Sequence, residues 1–185
     1  MKLFQRLSKI LIIFLSLIVL PAMTYFVMES SGTQINTSQQ KVIYDLPYPG
    51  ILPDHPLYFL KIIRDRINEF IIRDLLKKAQ LYLNFSDKRA AMALLLAKKG
   101  KNQAAITTFS KGEKYFEKII DLIKEAKKQG NQPPSSFIEL VKLSNAKHNE
   151  LIIEIMKLSP QGLQQDINQL LDLNLKIKKE LETLP

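Results

Sequence analysis

The side chains that could carry chemistry in this sequence are few, and the two histidines come first. His148 lies on an apolar helical stripe between Ser144 and Leu151. A catalytic or metal-binding histidine needs a partner, and the nearest carboxylate in sequence, Glu150, falls off that stripe. We therefore predict a hydrogen-bonded core or boundary histidine. Asn174, on the last apolar stripe, is expected to be its partner or to fix the register of the helices.

No other residue pattern indicates a reaction. His55 follows Asp54 in a proline-rich stretch, which favours a turn and a helix cap over a catalytic pair, because no nucleophile motif accompanies it. Phosphate-binding and dinucleotide-binding glycine patterns are missing from the sequence. The absence of Cys excludes disulfides, thiolate zinc sites and thiol nucleophiles. We expect no catalytic residue, no cofactor and no enzymatic activity.

Paired glutamates are the remaining candidates for a metal site. Glu113 with Glu117, and Glu150 with Glu154, have the i,i+4 spacing of one helix face. Metal sites in helical bundles usually add Glu-x-x-His motifs, which this sequence lacks. Glu113 and Glu117 also alternate with lysines, as on an exposed face. We therefore predict no metal site.

Positive charge is concentrated in one part of the chain. The net charge is +9, and residues 61–101 contain eleven Lys and Arg against four acids. This excess indicates either a solvated helix face that keeps the domain soluble or a surface for anionic lipid or an anionic envelope polymer. Nucleic acid is not expected as a partner, because no aromatic-interleaved basic motif is present. The candidate residues for anionic-surface binding are Lys61, Arg64, Arg66, Arg73, Lys77, Lys78, Lys88 and Arg89.

The N-terminal region predicts the compartment. Residues 1–9 are basic, and residues 10–28 contain no charged side chain, which is long enough to cross a bilayer. Either an uncleaved anchor or a cleaved signal peptide is consistent with this segment. Both place the rest of the chain outside the cytoplasm, so the expected product is membrane-anchored or secreted. Residues 29–43, rich in Ser, Thr, Gln and Asn, are predicted to be a solvated linker.

The exported part has two sections. Residues 44–56 are rich in Pro yet also apolar, and we predict that they pack as a strap on the folded body. Residues 57–185 show helical periodicity throughout and predict an all-α fold, an up-and-down antiparallel bundle of four or five long helices. Helix stops are predicted at Gly100, Gly130 and Pro160. The periodicity is compatible with either one bent helix or two over residues 57–98.

The first helical stripe consists of Leu57, Leu60, Ile63, Ile67 and Phe70. These residues recur every three or four positions and share one face, which we expect to pack into the bundle. Asn102, and Ser135 or Ser136, are expected to cap the later helices, while Asp54 or His55 lies near the cap of the first.

The segment that leads into the first helix resembles a family of uncharacterised exported bacterial helical domains with an L-P-x-x-P-L-Y-x-x-K-like motif. The resemblance covers at most residues 44–130. It implies a bacterial extracytoplasmic helical domain and no assigned activity. The matching positions are Leu52, Pro53, Pro56, Leu57, Tyr58 and Lys61.

Together these patterns predict a non-enzymatic, membrane-tethered helical module that serves in interaction or structure, with a protein or an anionic envelope polymer as its partner. A ligand- or metal-binding sensor bundle, and a binder of anionic lipid or wall polymer, are the alternatives. The oligomeric state is left open, because a heptad stripe serves a single-chain bundle and an intermolecular coiled coil equally well.

Overall fold

A computed structural model describes residues 42–184 of the chain. Within these residues the fold is all-α and contains no β-strand, as the sequence predicts. Residues 57–98 contain two helices, Tyr58–Ile71 and Leu75–Lys98. The helices are α1 (Tyr58–Ile71), α2 (Leu75–Lys98), α3 (Asn102–Lys128), α4 (Ser135–Leu158) and α5 (Gln164–Glu182), with a 3-10 turn at Gln161–Leu163 before α5.

The predicted membrane segment, residues 10–28, lies outside the described residues, as do residues 29–41 of the predicted linker. Among the helices of residues 42–184, none combines the length and the apolar character needed to span a membrane.

The helix ends follow the glycine signals. Gly100 and Gly130 adopt φ values of +73° and +79°, a left-handed conformation that glycine accepts without steric cost. After each glycine the backbone N–H of the next residue bonds back into the last turn, from Lys101 to Leu96 and from Asn131 to Ala126. These are Schellman motifs, and they confirm the two predicted stops. The third stop is also confirmed, since α4 ends at Leu158, two residues before the proline.

Two of the predicted caps are wrong. Asn102 and Ser135 are the first helical residues of α3 and α4, and neither N-terminus has a side-chain cap. Asp74 caps α2 instead, because its Oδ1 accepts a hydrogen bond from Lys77 N at 2.8 Å.

Helices α2 and α3 form the most extensive helix pair of the fold. Small residues permit this close approach: a Cβ on Gly112 of α3 would lie 3.2 Å from both the Cβ of Arg89 and the backbone oxygen of Ser86 on α2. Ser86 Oγ also donates a hydrogen bond to the Gly112 carbonyl at 2.9 Å. Helix α5 packs on both α3 and α4 and completes the body.

Two apolar clusters fill the body, and a polar layer separates them. One cluster includes Phe109, Leu151 and Ile167, and the other includes Phe116, Val141 and Ile177. Fully buried Glu113, His148 and Asn174, one from each of α3, α4 and α5, fall between these pairs in sequence. The polar layer therefore crosses the middle of the helical body.

The non-helical segment before α1 lies against the helices. Leu46 is 2% exposed and belongs to the first apolar cluster. Val42 N donates to Glu150 Oε1 at 3.0 Å, and Asp54 pairs with Lys101 at 2.7 Å. Contacts at both ends thus hold residues 42–54 on the helical body.

Candidate functional site

The polar layer is centred on His148 of α4, which has no exposed surface. Its Nδ1 lies 2.7 Å from Glu113 Oε1 of α3, and its Nε2 lies 3.1 Å from Asp87 Oδ1 of α2. Asp87 also accepts hydrogen bonds from Ser144 Oγ and from Tyr44 Oη, each at 2.5 Å. The layer therefore joins three helices and the segment before α1.

Both ring nitrogens of His148 face carboxylates, so the imidazolium can donate one hydrogen bond to each side. Burial by itself lowers the pKa of His148, but the hydrogen bonds to Asp87 and Glu113 outweigh burial and raise the pKa to about 9. The rings of Phe109 and Phe116 stand edge-on to the imidazole, with centroids 5.4 Å and 5.3 Å away. His148 is thus a buried cation at neutral pH.

This geometry supports a structural role for the layer. Asp87 and Glu113 are buried like the histidine, and they lie on opposite sides of its ring, so they do not converge on one point. The described part of the chain contains no group of three or more potential ligands placed to hold a metal ion. The prediction of a hydrogen-bonded core histidine is confirmed.

The partners of His148 differ from those expected. The prediction that Glu113 lies on an exposed face is wrong, because Glu113 is fully buried. Glu113 lies four residues after Phe109 and three before Phe116, and this spacing predicts that it lies on the apolar face. Asn174 bonds to Glu113 rather than to the histidine, with 3.4 Å between Nδ2 and Oε2.

Asn174 also joins two helices directly. Its Nδ2 donates to the Asn145 carbonyl at 3.3 Å, and Asn145 Nδ2 donates to the Asn174 carbonyl at the same distance. This reciprocal pair fixes the register of α5 against α4, the second role that the sequence suggested for Asn174.

Helix α1 faces the rest of the fold with its polar side. Lys61 and Asp65 are buried. Lys61 Nζ donates to the Pro49 carbonyl at 2.6 Å, and Asp65 Oδ1 accepts from Arg64 Nη2 at 2.9 Å. The predicted apolar stripe does share one face, but the expectation that it packs inward is wrong. Its helical members, Leu60, Ile63, Ile67 and Phe70, are 51% to 79% exposed.

A cleft of about 400 Å³ opens between α1, α2 and α3, and we call it the basic cleft. Five of its lining residues are cationic and one is acidic. The lining residues are Tyr58, Ile62, Asp65, Arg66, Arg89, Lys111, Lys114, Tyr115 and Lys118.

Arg89 is the buried member of the basic cleft, with 8% of its surface exposed. Its Nη1 donates to the Phe85 carbonyl at 3.0 Å, and its guanidinium carbon lies 4.5 Å from the centroid of the Tyr115 ring. Its Nη2 lies 3.8 Å from Asp65 Oδ2, which is beyond hydrogen-bond distance. Among the described residues the buried Nε of Arg89 has no hydrogen-bond partner.

The structure distributes the eight predicted basic residues over different environments. Lys61 and Arg89 are buried; Arg64, Lys78 and Lys88 are partly buried; Arg66, Arg73 and Lys77 are exposed. Of the eight, Arg66 and Arg89 line the basic cleft. The cleft lysines of α3 lie beyond the basic stretch of residues 61–101, so the charge excess of that stretch does not predict them. The i, i+3, i+7 spacing of Lys111, Lys114 and Lys118 places these lysines on one helix face, which indicates a basic patch on α3.

The motif residues lead into α1. Leu52 and Pro53 are partly buried, Pro56 and Leu57 are exposed, Tyr58 lines the cleft, and Lys61 is buried. His55 Nδ1 accepts a hydrogen bond from Leu57 N at 3.1 Å, in agreement with the predicted turn.

Comparison with protein families gives a match to most of the described chain. The model of a family described as a domain of unknown function, DUF5667, matches residues 50–180. The matched residues include α1 to α4 and all but the last two residues of α5, so the match extends well beyond residue 130. A search of curated proteins and a search of solved structures both found no match.

Proposed function

The chain belongs to the DUF5667 family of domains of unknown function, and because that family assigns no activity, we propose a function from the surfaces of the fold. The protein is a non-enzymatic interaction module, an up-and-down antiparallel bundle behind a Pro-rich strap. Residues 10–28 hold it at a bacterial membrane, with its body outside the cytoplasm. Its interaction surface is the apolar side of α1, and the occupant is the lipid bilayer. The observation that carries this proposal is the outward orientation of that side.

We define the outer side of α1 by its apolar residues that are more than half exposed. Single exposed apolar residues are normal on a protein surface, whereas a contiguous set indicates an interaction site. Full burial of one such side chain contributes about 1.5–3 kcal/mol, so covering the exposed halves of six contributes on the order of 5 kcal/mol. The six residues are Phe59, Leu60, Ile63, Ile67, Phe70 and Ile71.

Charge at the edges of the outer side favours lipid as the occupant. At about 100° per residue, the six residues span about 120° of the helix, and Arg64 and Arg66 lie about 20° outside the two edges. Arg66, which is exposed, can reach the headgroup layer while its stem covers hydrocarbon, whereas Arg64 is paired with buried Asp65 at 2.9 Å. Arg73 and Lys77, both exposed, follow the helix. A second copy of this surface would bring the same positive charges together, which disfavours a dimer through α1.

The sequence before the described residues supports the same occupant. Residues 10–28 are long enough to cross a bilayer core of about 30 Å. Residues 29–41 connect that run to Val42, and 13 residues span at most about 3.6 Å each. We call residues 29–41 the tether. A short tether raises the effective concentration of the outer side near the bilayer.

The chain has no Trp, so a single introduced Trp can report the position of α1. The full chain carrying Phe70→Trp is reconstituted into vesicles of anionic lipid brominated in the acyl chains. We expect blue-shifted emission and strong quenching by the bromine atoms, because the indole replaces the most exposed apolar side chain of the outer side. The matched control is Leu140→Trp on α4, where the native side chain is 43% exposed. The control is expected to emit at long wavelength without quenching.

Two results would reject the bilayer as the occupant. Unquenched, blue-shifted emission from Phe70→Trp together with a dimeric native mass would assign the outer side to a second copy. Unquenched emission at long wavelength from a monomer would leave the outer side open to water.

The topology has its own test. Protease added to intact cells or spheroplasts is expected to remove residues 33–185. Protection of the body, with recovery in the cytosol, would overturn the proposed location. The mass of the mature N-terminus distinguishes the anchor from a cleaved signal, and a cleaved chain would lack the proposed tether.

A second candidate function, binding of an anionic group, is favoured by the basic cleft. The same cleft supports the alternative of a ligand-binding sensor, with a small anion as its ligand.

A further inference from the structure

We propose that the basic cleft binds a phosphate ester, supplied either by a soluble molecule or by the headgroup of an anionic lipid. The site does not depend on bilayer docking by α1.

The charge of the basic cleft calls for an anion with more than one negative charge. Five cationic side chains line the cleft. Glu69, outside the lining, pairs with two of them, Arg66 at 3.9 Å and Lys118 at 3.8 Å, and three remain without this partner. The one carboxylate in the lining is engaged by Arg64 at 2.9 Å. The side chains of Lys111 and Lys114 are exposed and form no hydrogen bond or ion pair with another residue of the described chain. Their positive charges are thus available to a ligand.

Arg89 provides the directional part of the site. Its Nε and Nη2 form one edge of the guanidinium, and this edge has no hydrogen bond among the described residues. A buried donor without an acceptor is uncommon in a native fold. Two N–H groups in this arrangement match two oxygens of one phosphate, which is the usual reason for arginine at phosphate sites. The Phe85 carbonyl and the Tyr115 ring hold the guanidinium in place.

The size of the basic cleft favours an ester over inorganic phosphate. About 400 Å³ is within the range of sites for small organic ligands. The side chains of Tyr58, Ile62 and Tyr115 add aromatic and apolar surface beside the cations. A phosphate attached to a small polyol, such as glycerol, can use both kinds of lining.

The primary test uses glycerol 3-phosphate as the probe. It is titrated by calorimetry into the full chain in dodecyl maltoside, a detergent that contains no phosphate. We expect saturable binding at one site per chain. The double variant Lys111→Gln/Lys114→Gln changes only exposed side chains and is expected to weaken binding by about tenfold or more. The matched control, Lys127→Gln/Lys157→Gln, removes the same charge from exposed positions outside the cleft and should leave the affinity within about twofold.

Arg89→Lys tests the directional contact separately. This variant keeps the positive charge and loses the planar fork, so the affinity is expected to fall by about tenfold. A thermal unfolding curve shows whether the variant is folded, and the lysine pair keeps the proposal testable if it is not.

The source of the ester is found by repeating the titration in nanodiscs. A weaker apparent affinity in phosphatidylglycerol discs than in phosphatidylcholine discs indicates that a lipid headgroup occupies the cleft. Equal affinity indicates a soluble ester. The proposal is overturned if glycerol 3-phosphate shows no saturable binding, or if the control lysine pair weakens binding as much as the cleft pair.

The proposed ligand site in the cleft and the proposed bilayer docking of α1 can be refuted separately. Binding of glycerol 3-phosphate without lipid quenching of Phe70→Trp would reject bilayer docking alone. Quenching without binding would reject the cleft alone.

Discussion

The charge on His148 should make the stability of the helical body depend on pH above neutrality. In the unfolded chain a histidine has a pKa near 6.5. In the folded protein burial lowers the pKa of His148, but hydrogen bonds to Asp87 and Glu113 prevail and raise it to about 9. Between these values the folded state retains a proton that the unfolded chain has released, so the free energy of unfolding falls as the pH rises. The contribution is complete below about pH 6.5 and lost above about pH 9.

A pKa difference of about 2.5 corresponds to about 3 kcal/mol of unfolding free energy. That is a large part of the stability of a typical domain, about 5–15 kcal/mol. We expect urea unfolding of the full chain in dodecyl maltoside, followed by circular dichroism, to show this loss between about pH 6 and pH 9. The matched control is His55→Gln, because His55 is exposed and is the only other histidine. The control should keep the pH dependence of the native protein.

His148→Gln should remove the pH dependence and lower the stability at pH 6, since the two carboxylates then lose the cation between them. If this variant does not fold, an NMR titration of the imidazole in the native chain gives the pKa directly. An imidazole that titrates near pH 6.5, or a native stability that is constant over this range, would refute the account of the polar layer.

Three further changes test the packing. Tyr44→Phe removes one hydrogen bond to the buried carboxylate of Asp87 and should lower the unfolding free energy by about 1–2 kcal/mol in the same urea assay. Gly112→Ala places a Cβ against α2 and should cost about 1–3 kcal/mol, whereas Gly162→Ala, with open space around its Cβ, should be nearly neutral. Asp74→Ala removes the cap of α2, and thermal unfolding should show a loss of about 1 kcal/mol. Unchanged stability in any of these variants would contradict the corresponding contact.

The sequence predicts those features of the fold that depend on the spacing of residues close together in the chain. Glycines that end helices, and a histidine on an apolar stripe, are recognisable because turn geometry and helical periodicity act over a few residues. Gly100, Gly130 and His148 therefore lie where they were expected. For Glu113 two local patterns disagree: the alternating lysines predict exposure, the spacing from two phenylalanines predicts burial, and the fold follows the spacing.

The remaining features depend on contacts between distant parts of the chain. The basic cleft brings Arg66, Arg89 and Lys114 together from three helices, and no local pattern states which helix faces will meet. The orientation of α1 is a similar case. Periodicity shows which residues share a face but not whether that face points into the fold.

The orientation of α1 is maintained by polar contacts that are themselves costly. Burying the ammonium group of Lys61 is unfavourable unless it is hydrogen-bonded, and the Pro49 carbonyl supplies that bond from the segment before the helix. Turning α1 over would bury its apolar residues and free this lysine, which hydrophobic burial alone would favour. An orientation that leaves six apolar side chains more than half exposed departs from the usual agreement between hydrophobic pattern and packing. Such departures are expected where a surface serves an interaction, so the exposure of the outer side of α1 indicates a partner.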